Sequence, residues 1–485
     1  MEKKSADFVV IGCGACGLAA ALQAGFGGAS VIILDKNKTY GGMSTFSEGM
    51  FAVGTKYQSA MKLPYTVEDR FLAHMEASHW KANPLIVRTF MEKTADTIEW
   101  LEDIGCEFTG VRSFYSGAPF VWHMIKGSPE GAHSSSSPAQ YGLLKPMMKK
   151  VEELKNITVM LETKAVRIIR DGGIKGVVAE TKCGEQFEIE ALCVLCSAGG
   201  YGNDREMMDK YIEGGEYMIP CFNMNQTGDA LKMAWDVGAE KDGLGVIQAY
   251  PLIDKEFVGT AMTQISQQPN LWVNKLGERY CDESIVGSFP LAINALVRQP
   301  EAVAYNILDQ GIIEFLENVG LQINFGEYFK PGQRMENIGE QLEKSVSEGK
   351  VLSADTIDEL ADKIGCPKNV LNETIDEYNA CCDRNEDFVL AKHKKYLRPI
   401  RTPKYYAIRI NALLGITEGG IKVNHHMEVM DKDFHTIPGL YAGGCTVGGL
   451  VGDTYIMITS GGSISFAVNS GRIAAESALK YLEKA

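Results

Sequence analysis

Long apolar runs are missing from this sequence. No stretch approaches the roughly 20 consecutive apolar residues of a helical membrane span, so none is expected. Positive charge is also scarce: 48 lysines and arginines stand against 62 aspartates and glutamates, a net charge of −14. That balance argues against nucleic acid or an anionic membrane as a partner, since both need a basic surface. The start, MEKKSADFVVIG, runs straight into a strand and lacks the apolar core and small-residue cleavage site of a secretory leader. A cytoplasmic protein is the expectation. Twelve cysteines are present, but Cys193 and Cys196 have no second C-x-x-C to accompany them, and Cys381 and Cys382 stand alone. No metal site is expected. Cys193 and Cys196 sit in an apolar strand pattern where positions i and i+3 face opposite sides, and free thiols fit a reducing compartment. Repeats and low-complexity tracts are absent too.

What is present begins at the amino end. Residues 7–11, DFVVI, form an apolar strand followed by GCGACG, with Gly12, Gly14 and Gly17 around Cys16. A small-residue helix pattern and a second strand, SVIILD, ending in Asp35 with Lys36 next, complete a β-α-β dinucleotide fingerprint. Gly12 permits the turn, Gly14 lets backbone approach a pyrophosphate, and Gly17 lets helix lie on strand. The helix start receives phosphate charge. Asp35, eighteen residues after Gly17, suits a ribose diol.

Next come Gly41-Gly42, Met43, Ser44-Thr45 and Gly49. With ALCVLCSAGGYGND (191–204), NQTGDALKMAWDVGAE (225–240), LWVNKLGERYCDES (271–284) and IPGLYAGG (437–444), the chain resembles the flavoprotein superfamily of fumarate reductase, succinate dehydrogenase and 3-ketosteroid dehydrogenase. The motifs are spread in family order over nearly the whole chain. The resemblance implies an α/β fold, a Rossmann-like FAD domain of glutathione-reductase type with an inserted α+β cap. At 485 residues, two domains are the default. The FAD domain is expected over 1–244 and 411–485, and the cap, whose 271–284 segment should be strand-turn-strand, over 245–410. FAD contacts are expected, beyond those above, from Ala165, Val166, Ala198, Gly199, Gly200, Asp229, Gly444, Gly461, Gly462, Ser463 and Ile464, the last four opening a helix aimed at the flavin. Residues 41–54 hold no histidine, so FAD is expected to bind without a covalent bond.

The family's fumarate reductases grip two carboxylates with histidines and arginines. At the four matching positions this chain has Tyr250, Gly287 or a neighbour, Gly415 or Ile416, and Tyr455; only the polar Thr263 survives. A dicarboxylate would be buried there without compensation, at several kcal/mol per charge. A carbonyl needs only hydrogen-bond donors. The ketosteroid enzymes use tyrosines, so resemblance gives Tyr455 the ketone, with Gly461 or Gly462 as amide donor, and Tyr250 and Tyr115 the proton, which a tyrosine can pass if its neighbours lower its pKa. Phe222, Met224, Phe257, Met262 and Trp272 read as plain core, with the lining of an apolar pocket as the alternative. His123 and His133 read as a solvated loop, His425 and His426 as a turn far from the chemistry, and Arg298 and Arg401 as surface groups.

The expected function is therefore reduction or formation of a C=C bond conjugated to a carbonyl of an apolar ketone such as a 3-ketosteroid. An enoate reductase for monocarboxylates, using a loose arginine, is the alternative. A flavoprotein subunit of an electron-transfer complex is a third reading, because one fingerprint leaves the electron donor or acceptor outside this chain.

Overall fold

The computed structural model describes residues 3–115, 117–127, 138–257, 259–323 and 329–484; His133 lies outside them. A six-stranded sheet carries the nucleotide end. Its order is Glu428–Met430, Thr436–Ala442, Cys193–Cys196, Phe8–Ile11, Val31–Leu34 and Ile157–Met160, parallel except for the first edge strand. The four-residue apolar runs of Phe8–Ile11, Val31–Leu34 and Cys193–Cys196 are buried throughout, as strands covered on both faces must be. All the described cysteines are free, as their spacing implies. Helix Ala15–Phe26 covers one face and packs along the carboxy-terminal helix Gly462–Leu482. Their closeness to the sheet depends on Gly17: a Cβ there would stand 1.9 Å from the Gly12 carbonyl oxygen.

A second sheet is built around strand Tyr405–Glu418, which pairs with Val246–Leu252, Val303–Asp309 and Val351–Ala354. Its first residues, Tyr405 to Ile408, belong to a separate apolar core formed by residues 253–408. Ile410, Ala412 and Leu414 already belong to the main core. The helices expected from polar patterns are Ile357–Ile364, capped by Thr356, and Lys368–Arg384.

One expectation for this region is corrected. Strand Leu271–Asn274 forms, but its return limb makes only an isolated bridge between Val273 and Arg279. There the chain turns inward to bury charge. Arg279 forks onto Glu283 at 2.8 and 2.9 Å and reaches Asp387 at 2.6 Å, while Lys392 meets Glu283 at 3.0 Å. Trp272 and Met262 are packed into core rather than lining a pocket, with the Trp272 indole donating to the Gln268 carbonyl.

Candidate active site

The glycine-rich turn opens on a cleft lined by backbone and small side chains, the concave kind of place where small molecules and cofactors bind. Of the residues expected at a dinucleotide, Gly12, Gly14, Cys16, Asp35, Lys36, Gly41, Gly42, Met43, Ser44, Ala165, Ala198, Gly199, Asp229 and Gly444 line it. Ser197, Asn225 and Gln226, from the quoted motifs, and Met224 line it as well, together with Asn37, Thr163, Lys164, Cys445 and Ala467, which no motif had marked. The one signal of these last five is closeness in sequence to marked residues. Gly14 caps the helix without a side chain, so the helix start faces the cleft with its partial positive charge.

Asp35 does more than await a ribose. Its two oxygens accept the Cys13 and Asn37 amides, each at 2.8 Å, which ties the glycine turn to the end of its strand. A carboxylate has about four lone-pair sites, so acceptor capacity remains. Lys36 donates to Asp229 and Thr227 at 2.6 Å, and Lys164 also pairs with Asp229, holding that carboxyl below its usual range despite burial. The cradle fits a dinucleotide: small backbone-lined walls, an uncapped helix start, and polar groups where ribose and base would lie.

Gly17, Val166, Gly200, Gly461, Gly462, Ser463 and Ile464 are not part of that wall. Gly17 and Gly200 serve packing; a Cβ on Gly200 would strike the Thr417 side chain at 2.1 Å. Helix Gly462–Leu482 starts where expected, after Gly461 in a left-handed conformation (φ 76°). Gly461 packs on the Gly49–Phe51 strand, where its carbonyl accepts the Phe51 amide at 3.1 Å.

The three tyrosines singled out by type do meet. Tyr455, Tyr250 and Tyr115 share one apolar cluster with Phe289, Phe114 and Met457. Phe289 is its hub, 4.8 Å from the Tyr250 ring and stacked 6.1 Å from Tyr455. Tyr250 stands on strand Val246–Leu252 opposite Leu413, so its ring lies beside Gly415, and Gln248 donates to its hydroxyl at 2.8 Å. Ile416 pairs with Gln248 on the adjoining register. Gly287 ends a short 3-10 turn with open space at its α-carbon. Thr263 lies elsewhere, buried, with its hydroxyl on the Phe257 carbonyl.

The neighbours of these tyrosines do not make them more acidic. Burial pushes the Tyr455 hydroxyl well above the ordinary phenol range, and Glu418, Tyr250 and Cys445 push it further. Tyr250 and Tyr115 are raised as well, chiefly by burial. No neighbouring cation lowers them, so these tyrosines are proton holders and donors near neutrality, not bases.

Glu418 escaped sequence reading. It ends strand Tyr405–Glu418, is buried, and takes a very short hydrogen bond from Ser463, whose hydroxyl also lies 3.2 Å from that of Tyr455. Ser463 therefore bridges two side chains, a role its place among the cofactor glycines did not suggest.

His123 is the other correction. It is fully buried on strand Trp122–Ile125, with its ring between the Thr55 hydroxyl (2.7 Å) and the Val121 carbonyl (3.1 Å). Burial drops its pKa to about 4. Protonation then favours the unfolded chain, so this group costs nothing above the ordinary value near 6.5 and removes stability as pH falls toward 4. Between those limits the slope is about 1.4 kcal/mol per pH unit for one proton. His123→Gln should lower the pH dependence of urea unfolding there by one proton; an unaltered slope would refute the assignment.

Arg298 and Arg401 are surface groups paired with Glu213 and Asp383. His425 and His426 stack at 4.0 Å on their turn. Phe222 stacks on Phe46 at 3.9 Å, and Phe257 lies under the Lys350 ammonium. Among the described residues, no helix is long and apolar enough to cross a membrane, and no cluster of three His, Cys, Asp or Glu side chains is arranged for a metal.

The FAD binding domain family matches residues 7–458. A vinyl phenol reductase of Lactiplantibacillus plantarum is 32% identical, over 98% of this chain and 97% of its own length. An NADH:fumarate oxidoreductase of Klebsiella pneumoniae is 27% identical over 98% of this chain, which spans 48% of that longer protein. Among solved structures, a 3-ketosteroid-Δ4-(5α)-dehydrogenase of Rhodococcus jostii superposes with a TM-score of 0.75 at 22% identity, covering 98% of this chain and 97% of that one. The chain belongs to the FAD binding domain family of flavoproteins and is an FAD-dependent CH–CH oxidoreductase.

Proposed function

We propose that this enzyme reduces a C=C bond conjugated to an uncharged polar group, an aryl alkene of the vinylphenol kind or an enone, with Tyr455 as the proton donor. One observation carries the reading. Among the described residues, the groups that act most on Tyr455, Tyr250 and Glu418 are Glu48, Glu418, Cys221, Cys445, Gln248, Ser463 and the tyrosines themselves, with no lysine or arginine among them. An acid-rich, tyrosine-lined site accepts a phenol or ketone oxygen and penalises a carboxylate. The vinyl phenol reductase, similar over its full length, supports an uncharged aryl alkene and widens the expected acceptor beyond carbonyls. A ketosteroid is one enone in that class; its support is the shared fold.

Bound FAD supplies the hydride for such a reduction. Apolar rings around Phe289 exclude water, and the Tyr455 O–H places a proton at the substrate carbon. Electrons come from a donor outside this chain.

Enoate reduction is the second reading, favoured by the relative named for fumarate. Arg298, the anchor it would use, has a side chain 69% exposed and paired to Glu213. Anaerobic reoxidation of the reduced flavin separates the two. A vinylphenol or enone should reoxidise it about 10²-fold faster than the matching cinnamate-type acid, the worth of an uncompensated charge. Faster reoxidation by the acid would overturn the proposal.

A further inference from the structure

Glu418 is a buried carboxyl with almost nothing to hold it. Its side chain is 5% exposed; Oε1 meets Ser463, and Oε2 has no hydrogen-bond partner. Four neighbouring segments bring titratable groups toward it. Cys445 comes from the turn after the last parallel strand, and Tyr455 from the bend before the final helix. Tyr250 lies along the paired strand, and Asp242 belongs to the loop whose carbonyl accepts the Gly420 amide. None is a cation. An ionised carboxylate with one hydrogen bond and no counter-charge is heavily penalised, and burial lifts this pKa to about 7.

Counting protons gives the arrangement its meaning. A serine hydroxyl has one hydrogen, so Ser463, between Glu418 and Tyr455, donates to one and accepts from the other. With Glu418 protonated, it donates to Ser463, Ser463 donates to Tyr455, and the Tyr455 hydrogen is free for a substrate. With Glu418 ionised the chain runs the other way, and Tyr455 spends its hydrogen on Ser463. Tyr455 itself is a poor anion in this site, so a proton it gives away has to be replaced as it leaves.

Resting on the reading of Tyr455 as donor, we infer that Glu418 is its proton store, acting through Ser463, and that ionisation of Glu418 withdraws the Tyr455 hydroxyl from the substrate. In the step, a C–H bond forms as the Tyr455 O–H breaks. The Ser463 proton passes to Tyr455, the Glu418 proton passes to Ser463, and Glu418 ends as a carboxylate. Water then restores its proton through the narrow crevice, about 10 Å³ and so one water wide, that Glu418 and Ser463 line with Gly243, Gly448 and Val451. Glu418 is thus a positioning residue, one bond network removed from the reacting carbon.

The test uses the FAD-loaded protein and the variants Glu418→Gln, Glu418→Asp and Ser463→Ala. Infrared difference spectra against pH should show a protonated carboxyl that titrates near pH 7 in the wild type and is missing in Glu418→Gln. The wild-type kcat should fall above that pH. In Glu418→Gln, kcat should be flat and about 10²-fold lower, with KM little changed. Glu418→Asp should restore the falling limb. Ser463→Ala should lose the limb while keeping the carboxyl band, which separates relay from packing. A Glu418→Gln enzyme with wild-type kcat and an intact limb overturns the relay. If Tyr455→Phe is slow while Glu418→Gln is normal, only the relay fails; if Tyr455→Phe is normal, the donor reading fails with it.

Discussion

Tyr455→Phe should keep its FAD and slow alkene reduction by about 10²- to 10⁴-fold, the usual worth of a positioned proton donor or oxyanion partner. The change removes one oxygen. The Tyr455 ring packs on Phe289 and its backbone lies in the bend before helix Gly462–Leu482, neither of which needs the hydroxyl. Ser463 keeps Glu418 as a partner. Flavin absorbance after gel filtration should therefore match wild type, and the loss should fall in kcat, measured by stopped-flow reoxidation. Loss of FAD would assign the hydroxyl to structure, and unchanged turnover would remove it from the chemistry.

Glu283→Leu should destabilise the full chain by about 3–5 kcal/mol in urea, the cost of orphaning buried charge. Glu283 is the shared anion of two buried cations and also accepts the Trp272 amide at 3.2 Å. Without it, Asp387 remains opposite Arg279, and Lys392 keeps only the Tyr378 hydroxyl (2.9 Å) and the Asn270 carbonyl (3.1 Å). Adding Lys392→Met to Glu283→Leu restores charge balance, so the double variant should recover part of the loss. A single variant within about 1 kcal/mol of wild type would show that the cluster is hydrated rather than sealed.

The nucleotide half was legible because its signals are local. Strand, glycine turn, helix and acidic strand end follow one another within about thirty residues, and each obeys a backbone rule that composition exposes. The tyrosines were legible by type alone, since position-by-position resemblance located them without showing that Phe289 gathers them. Glu418 was not legible. It sits 45 residues from Ser463, in a strand end that reads as ordinary, and only sheet pairing and the final helix bring the two together. His123 went astray for a related reason: a single histidine carries no periodic signal, so its burial depends on which distant segment covers it.

Strand Tyr405–Glu418 joins the two cores without a break, fourteen residues reaching about 45 Å at the usual rise. It behaves as a shared beam. One end is anchored among the residues of the 253–408 core, and the other presents Glu418. The place of Glu418 is therefore set by pairing along the whole strand, with Val303–Asp309 and Val351–Ala354 at one end and Val246–Leu252 at the other, and not by the turn that follows it.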